Sequence, residues 1–173
     1  MDRRPPDTEL EAQMQSQEIL QMVSGAAVAL AGFSGVVAVL GRRGRGEWSS
    51  QELLQLRTLV EPSLIALFGS FIPGTLQLVS PLESVTWRLS NGALGLLGLA
   101  GLVAFISRSR STSTTTGQRA LLTVAVTTVG AHLLAAAGVL KQYELIFVLG
   151  LVVALVVAAH NFLLLLFSMG HTS

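Results

Sequence analysis

Three ionisable side chains lie inside apolar stretches of this 173-residue chain and could carry chemistry. Glu61 stands beside Pro62 in one stretch, and His132 and His160 lie in two later ones. A carboxylate inside a membrane can hold a proton or a cation, and an imidazole can exchange a proton near neutral pH. Glu61, His132 and His160 are therefore the candidate residues for an ion or proton site.

Each candidate also has a purely structural interpretation. Glu61 follows Arg57 by four residues, so both would share one helix face and could form an ion pair at the membrane interface. A histidine in a membrane helix more often pairs with a Thr, an Asn or a backbone carbonyl of the next helix. The sequence favours the ion pair for Glu61 and leaves open whether the three residues face one another.

Patterns typical of enzymes and metalloproteins are missing from the sequence. The chain has no cysteine, no P-loop, no Gly-x-Ser-x-Gly turn and no pair of intramembrane aspartates. It also lacks the spaced His and carboxylate pairs that hold a metal. We therefore expect no catalytic residue, no metal site, no cofactor and no enzymatic activity.

The elements that must position these side chains are membrane helices. The chain is 51% hydrophobic and only 12% charged, with a mean hydropathy of +0.64, unlike a soluble domain. This composition makes the lipid bilayer the predicted partner, and a net charge of +1 provides no basic surface that would bind nucleic acid.

About 20 apolar residues span a bilayer. Five segments meet that length, which predicts an all-α, polytopic bundle of five transmembrane helices: 19–40, 57–79, 86–107, 120–140 and 144–168.

Polar segments flank this predicted domain of residues 19–168: a tail and helix extension over 1–18 and a short tail over 169–173. Capping patterns at Thr8, Ser49 and Ser80 predict where the first three helices begin. Trp87 falls at the start of the third span, where an indole favours the membrane interface.

Orientation follows from the positive charges near the spans. Seven Lys and Arg lie on the side of the loops after spans one and three, and four lie on the other side. The positive-inside rule then places the N-terminus outside and the C-terminus in the cytoplasm. The seven residues are Arg42, Arg43, Arg45, Arg57, Arg108, Arg110 and Arg119.

Small residues recur at helical spacing in spans one and three. In lipid, small residues let helix backbones approach closely, either within one chain or between subunits. They are candidates for helix packing and for self-association of the chain, while a glycine-lined pore or lipid groove is the functional alternative. The residues are Ala27, Ala31, Gly35, Gly92, Gly95, Gly98 and Gly101.

Residues 30–73 combine a Gly-Phe-Ser-Gly helix, an arginine-bearing loop, a Trp-Ser helix start and a second helix that ends near a proline. This combination, which covers about a quarter of the chain, resembles a group of small uncharacterised bacterial membrane proteins. The resemblance implies a bacterial cytoplasmic membrane and the pairing of helices one and two. It implies no activity, substrate or binding residue.

Two functional hypotheses remain open at this point. The first is a non-enzymatic interaction or scaffold protein whose intramembrane polar residues serve packing. The second is a small oligomeric channel or proton-coupled transporter that uses Glu61. The direction in which Glu61 points, into the bundle or out toward Arg57, distinguishes the two hypotheses.

Overall fold

The computed structural model describes residues 6–45, 50–79, 82–109 and 116–170, and their side chains over 14–39, 53–79, 82–107 and 119–167. This part of the chain is an all-α bundle. Its five helices are α1 (Pro6–Arg45), α2 (Ser50–Gln77), α3 (Glu83–Ser109), α4 (Thr116–Ala136) and α5 (Tyr143–Gly170).

Each helix contains a segment long and apolar enough to cross a bilayer. The outward side chains include many large apolar ones, such as Phe68, Leu96 and Val156, as expected where lipid replaces water. The predicted class, a polytopic membrane protein with five transmembrane helices, is confirmed. The segments are Met14–Val39, Leu53–Gln77, Glu83–Ser107, Arg119–Ala136 and Tyr143–Phe167.

Helix boundaries agree with the sequence patterns, with one exception. α1 begins at Pro6, close to the predicted start at Thr8, and α2 begins at Ser50. Ser49 and Ser80, the other predicted caps, lie outside the described residues. The predicted fourth span was wrong at its end, because α4 stops at Ala136 instead of continuing to residue 140.

Gly138 explains this earlier stop. Its φ of +82° is the left-handed conformation that ends many helices. The Val139 amide donates to the Leu134 carbonyl at 3.0 Å and the Gly138 amide to the Ala135 carbonyl at 2.9 Å, which is the Schellman pattern. From α3, Arg88 Nε donates to the Ala136 carbonyl at 3.1 Å. Arg88 thus helps to cap α4.

Substituting Gly138 with alanine should destabilise the protein by about 1 kcal/mol, because an L side chain disfavours this φ. Unfolding in detergent, followed by circular dichroism, measures the change. Gly130→Ala is the control, since Gly130 lies within α4 and a Cβ there meets nothing within 4 Å. That control should be neutral or slightly stabilising, and equal losses in both variants would contradict the cap.

The helices alternate in direction, so the bundle has two ends. We call the end where α1, α3 and α5 begin the N-terminal end, and the end where α2 and α4 begin the C-terminal end. α5 packs against all four other helices, whereas α1 packs only against α2 and α5 among the described residues. α3 and α4 form a closely packed pair.

Two apolar cores differ in the helices that build them. The core near the N-terminal end joins α1, α2, α3 and α5 through residues such as Val23, Ala66, Trp87 and Phe147. Among the described residues, the core near the C-terminal end draws its buried side chains from α1, α2 and α5, for example Leu59 and Leu165. Trp87, near the start of the third span, is buried against Phe147, with ring centroids 5.7 Å apart.

The difference between the two cores leaves space inside the bundle. Near the C-terminal end, no described residue of α3 or α4 belongs to the core that α1, α2 and α5 share. In the described part of the chain, α2 and α4 do not pack against each other. α2 remains one helix through Pro62 and Pro73, so it presents a continuous wall to that space.

Candidate functional site

A cavity of about 200 Å³ lies between α2, α3, α4 and α5. The four helices line it over residues 54–65, 94–105, 121–132 and 150–161. Each of these segments rises about 16 Å, roughly half the apolar thickness of a bilayer. The cavity therefore occupies the half of the bundle toward the C-terminal end, where the second core lacks α3 and α4.

Apolar side chains make up most of the cavity wall, and six polar residues interrupt it. A mainly apolar cavity with a few converging polar groups is the usual form of a small-molecule site. Glu61 carries the only formal charge among these described lining residues. The six are Gln55, Thr58, Glu61, Thr128, His132 and Asn161.

Glu61 lies in the cavity wall, and its side chain is half-buried. Arg57, its predicted partner, is exposed and is not among the lining residues. Glu61 is thus one of the residues that line the cavity. The ion pair with Arg57 stays a prediction.

Close to Glu61, a hydrogen bond joins α2 to α5. The Thr58 hydroxyl lies 3.0 Å from Asn161 Oδ1 and 2.8 Å from the Leu54 carbonyl of its own helix. Asn161 Nδ2 donates to the Val157 carbonyl at 2.8 Å. Pro62 has no N–H, so the α2 ladder supplies no partner to the Thr58 carbonyl. The Thr58 hydroxyl and the Asn161 amide thus form a polar contact between α2 and α5 in the cavity wall.

At the inner end of the cavity, a buried polar cluster ties three helices together. Asn91 on α3 is fully buried, and its Nδ2 donates at 2.8 Å to the carbonyls of Trp87 and of Tyr143 on α5. His132 on α4 is 2% exposed, and its Nδ1 lies 2.8 Å from Asn91 Oδ1. Because the amide oxygen accepts, Nδ1 is the donor of this hydrogen bond.

Gly150 on α5 makes room for the His132 ring. A Cβ at this position would overlap the imidazole at Nε2. A Cβ at Gly69 on α2 would meet the side chain of Leu151, so Gly69 and His132 lie at about the same depth. Glu61 precedes Gly69 by eight residues, about 12 Å of helix rise. The carboxylate and the imidazole therefore line the same cavity at different depths.

His160 does not join Glu61 and His132. Its side chain is exposed on α5, and the next residue, Asn161, lines the cavity instead. The prediction that an intramembrane histidine pairs with an amide of the next helix is confirmed for His132 and Asn91. Neither Asn91 nor Asn161 was among the candidate site residues from the sequence.

The small residues of α3 pack within the chain. A Cβ at Gly92, Gly95 or Gly98 would come within 3.6 Å of side chains on α4, so these glycines permit the close pairing of α3 with α4. Gly101 has open space around a Cβ and lines the cavity. In α1, Ala27 is buried, Ala31 is half-buried and Gly35 is exposed.

Across the described residues, no group of three or more His, Cys, Asp or Glu side chains is arranged to hold a metal ion. No protein-family model, curated protein or solved structure matches this chain. The cavity, with Glu61 in its wall, is therefore the feature from which function is argued.

Proposed function

We propose that the protein is a small, non-enzymatic membrane transporter in which Glu61 binds a proton or a cation inside the cavity. One observation supports this proposal above the others: the carboxylate lines a cavity that reaches about halfway through the bundle. Ionisable residues within membrane helices commonly mark ion or proton pathways.

The scaffold hypothesis accounts for part of the polar residues but not for this cavity. Asn91 and His132 bond to each other and hold α3, α4 and α5 together, as packing residues would. Around Glu61, by contrast, the described parts of α2 and α4 do not pack against each other, and the cavity lies between them. We assign the packing role to the half of the bundle near the N-terminal end and the transport role to the other half.

The hydroxyls in the cavity support a non-enzymatic role. Thr58 and Thr128 each bond to a backbone carbonyl of their own helix, at 2.8 Å from Leu54 and Val124 respectively. The Nδ1–H group of His132 donates to Asn91 Oδ1. Neither of these two lining hydroxyls is therefore hydrogen-bonded to His132 in the manner of an activated nucleophile.

We further propose a bacterial cytoplasmic membrane as the location, with the N-terminus outside and the C-terminus in the cytoplasm. The count of positive charges and the resemblance of residues 30–73 support this orientation. The cavity would then lie in the cytoplasmic half of the membrane. Self-association through small residues, with Gly35 exposed on α1, belongs to the same proposal.

Proton flux into proteoliposomes tests the transport proposal. With an imposed pH gradient and a pH-sensitive dye inside the vesicles, the wild type should exceed protein-free vesicles, and Glu61→Gln should fall to their level. Glu18→Gln and His160→Ala are matched controls, because both side chains are exposed and neither lines the cavity. Both controls should retain wild-type flux.

Folding of every variant is checked by circular dichroism and size-exclusion chromatography in detergent. If the wild type gives no flux, or if folded Glu61→Gln keeps full flux, the transport proposal is wrong and the scaffold hypothesis gains support.

A further inference from the structure

The end of the cavity near His132 has a mainly hydrocarbon wall. We call the wall at the depth of His132, to within about 6 Å of helix rise, the inner part of the cavity. None of its described lining residues is a Lys, Arg, Asp or Glu, because Glu61 lies about 12 Å away along the helices. A charged ligand in the inner part would lose hydration without gaining a fixed opposite charge. The hydrocarbon and glycine residues here include Ile65, Leu94, Gly98, Val129, Gly150 and Ala154.

The polar side chains of the inner part are already hydrogen-bonded within the protein. His132 Nδ1 lies 2.8 Å from Asn91 Oδ1, and the Thr128 hydroxyl donates to the Val124 carbonyl at 2.8 Å. Throughout the described residues, no buried side-chain nitrogen or oxygen lacks a hydrogen-bond partner. An ordered water needs about two to four polar partners in a cavity, and a polar ligand has a similar need. The inner part therefore suits an apolar ligand better than water or a polar one.

The size of the cavity suits a ring with a short substituent. Its volume is about 200 Å³. For comparison, an engineered apolar cavity of about 150 Å³ in another protein binds benzene. Lipid is as apolar as the cavity wall, so a ligand leaves the bilayer only for closer van der Waals contact. A rigid ring keeps more of that gain than a flexible acyl chain, because the ring loses less conformational freedom on binding.

We infer that the cavity binds an uncharged, mainly apolar molecule of about the size of an alkylbenzene, with its ring in the inner part. This inference goes beyond the proposed function, since it assigns a ligand to a part of the cavity that lies at a different depth from Glu61. It holds whether or not Glu61 carries protons, because the contacts that bind the ring come from the hydrocarbon wall.

Binding of trifluorotoluene to the full chain in lipid nanodiscs tests the inference without any flux measurement. Fluorine NMR saturation transfer detects the bound probe, with protein-free nanodiscs as the baseline, and competitors are compared at equal concentration in the lipid phase. Indane, an uncharged rigid ring system, should compete with the probe. Decane, the cation benzyltrimethylammonium and the anion benzenesulfonate should each compete more weakly by about tenfold or more, a difference of about 1.4 kcal/mol.

A substitution that fills the cavity places the bound probe in it. Gly101 lines the cavity, and a Cβ there meets nothing within 4 Å, so Gly101→Leu adds a side chain where there is room for it. This variant should weaken probe binding by about tenfold or more. Gly32→Leu is the matched control and should bind as the wild type does, because Gly32 has the same free space but lies in α1, away from the cavity. Should Gly101→Leu fail to fold, Ala154→Leu fills the inner part from α5.

No saturable binding above the baseline, equal competition by either charged competitor, or unchanged binding in the folded cavity-filling variant would overturn the inference. Equal competition by decane would also overturn it, since the cavity would then accept any hydrocarbon chain, including that of a lipid. Probe binding without any proton flux would support this inference and reject the transport proposal. Proton flux that depends on Glu61, without probe binding, would do the reverse.

Discussion

Replacing Gly150 with alanine is expected to destabilise the folded bundle by about 2–4 kcal/mol, the range typical of a forced overlap in a packed core. The added Cβ would overlap the His132 ring, which its bond to Asn91 holds in place. Helix propensity acts in the opposite direction, favouring alanine over glycine by about 1 kcal/mol. Unfolding by a denaturing detergent, followed by circular dichroism, measures the net change.

Gly32→Ala is the matched control for this substitution. Gly32 lies within α1, and a Cβ there meets nothing within 4 Å. Its variant should be as stable as the wild type or slightly more stable. Adding His132→Ala to Gly150→Ala should restore part of the loss, because the ring that causes the overlap is removed. Equal stability of Gly150→Ala and wild type would show that His132 is not held against α5.

Substituting Asn91 with leucine should cost about 2 kcal/mol, although leucine fits better in an apolar interior. The loss arises because the His132 Nδ1 proton is buried and would have no acceptor. The link from α3 to the first turn of α5, through the Tyr143 carbonyl, would also be lost. The same unfolding measurement gives the magnitude.

The equivalent change at Asn161 provides the comparison. Asn161 also lies in a helix and is nearly buried, but its partner Thr58 has a second acceptor in the Leu54 carbonyl. Asn161→Leu therefore deprives no described donor of its only acceptor and should cost less than about 1 kcal/mol. A larger loss at Asn161 than at Asn91 would contradict the importance given to the buried cluster.

The architecture could be predicted from the sequence because lipid imposes a length on each apolar segment. All five helices were expected, and only the end of α4 was misplaced. That error has a local cause, since Val139 and Leu140 are apolar enough to extend a span, whereas Gly138 ends the helix through its backbone conformation. The hydropathy of a segment does not show that a glycine in it adopts the left-handed backbone conformation.

The contents of the cavity were predicted only in part. Glu61 and His132 were recognisable because ionisable groups are rare in membrane helices. The sequence did not show which way each side chain points. Lipid and neighbouring helices are both apolar, so hydrophobic residues show little periodicity along a membrane helix. His160 and Asn161 show the difficulty: they are adjacent in sequence, yet one faces outward and the other lines the cavity.

The position of α5 has a consequence for how the protein is made. α5 contacts each of the other four helices, and Phe147 and Leu151 from it complete the core near the N-terminal end. The ribosome synthesises α5 after α1–α4, so those four helices enter the bilayer before the element that joins them exists. Packing of α5 against the other four helices must then follow its own insertion, and until that moment Asn91 lacks the Tyr143 carbonyl to which it donates in the complete bundle.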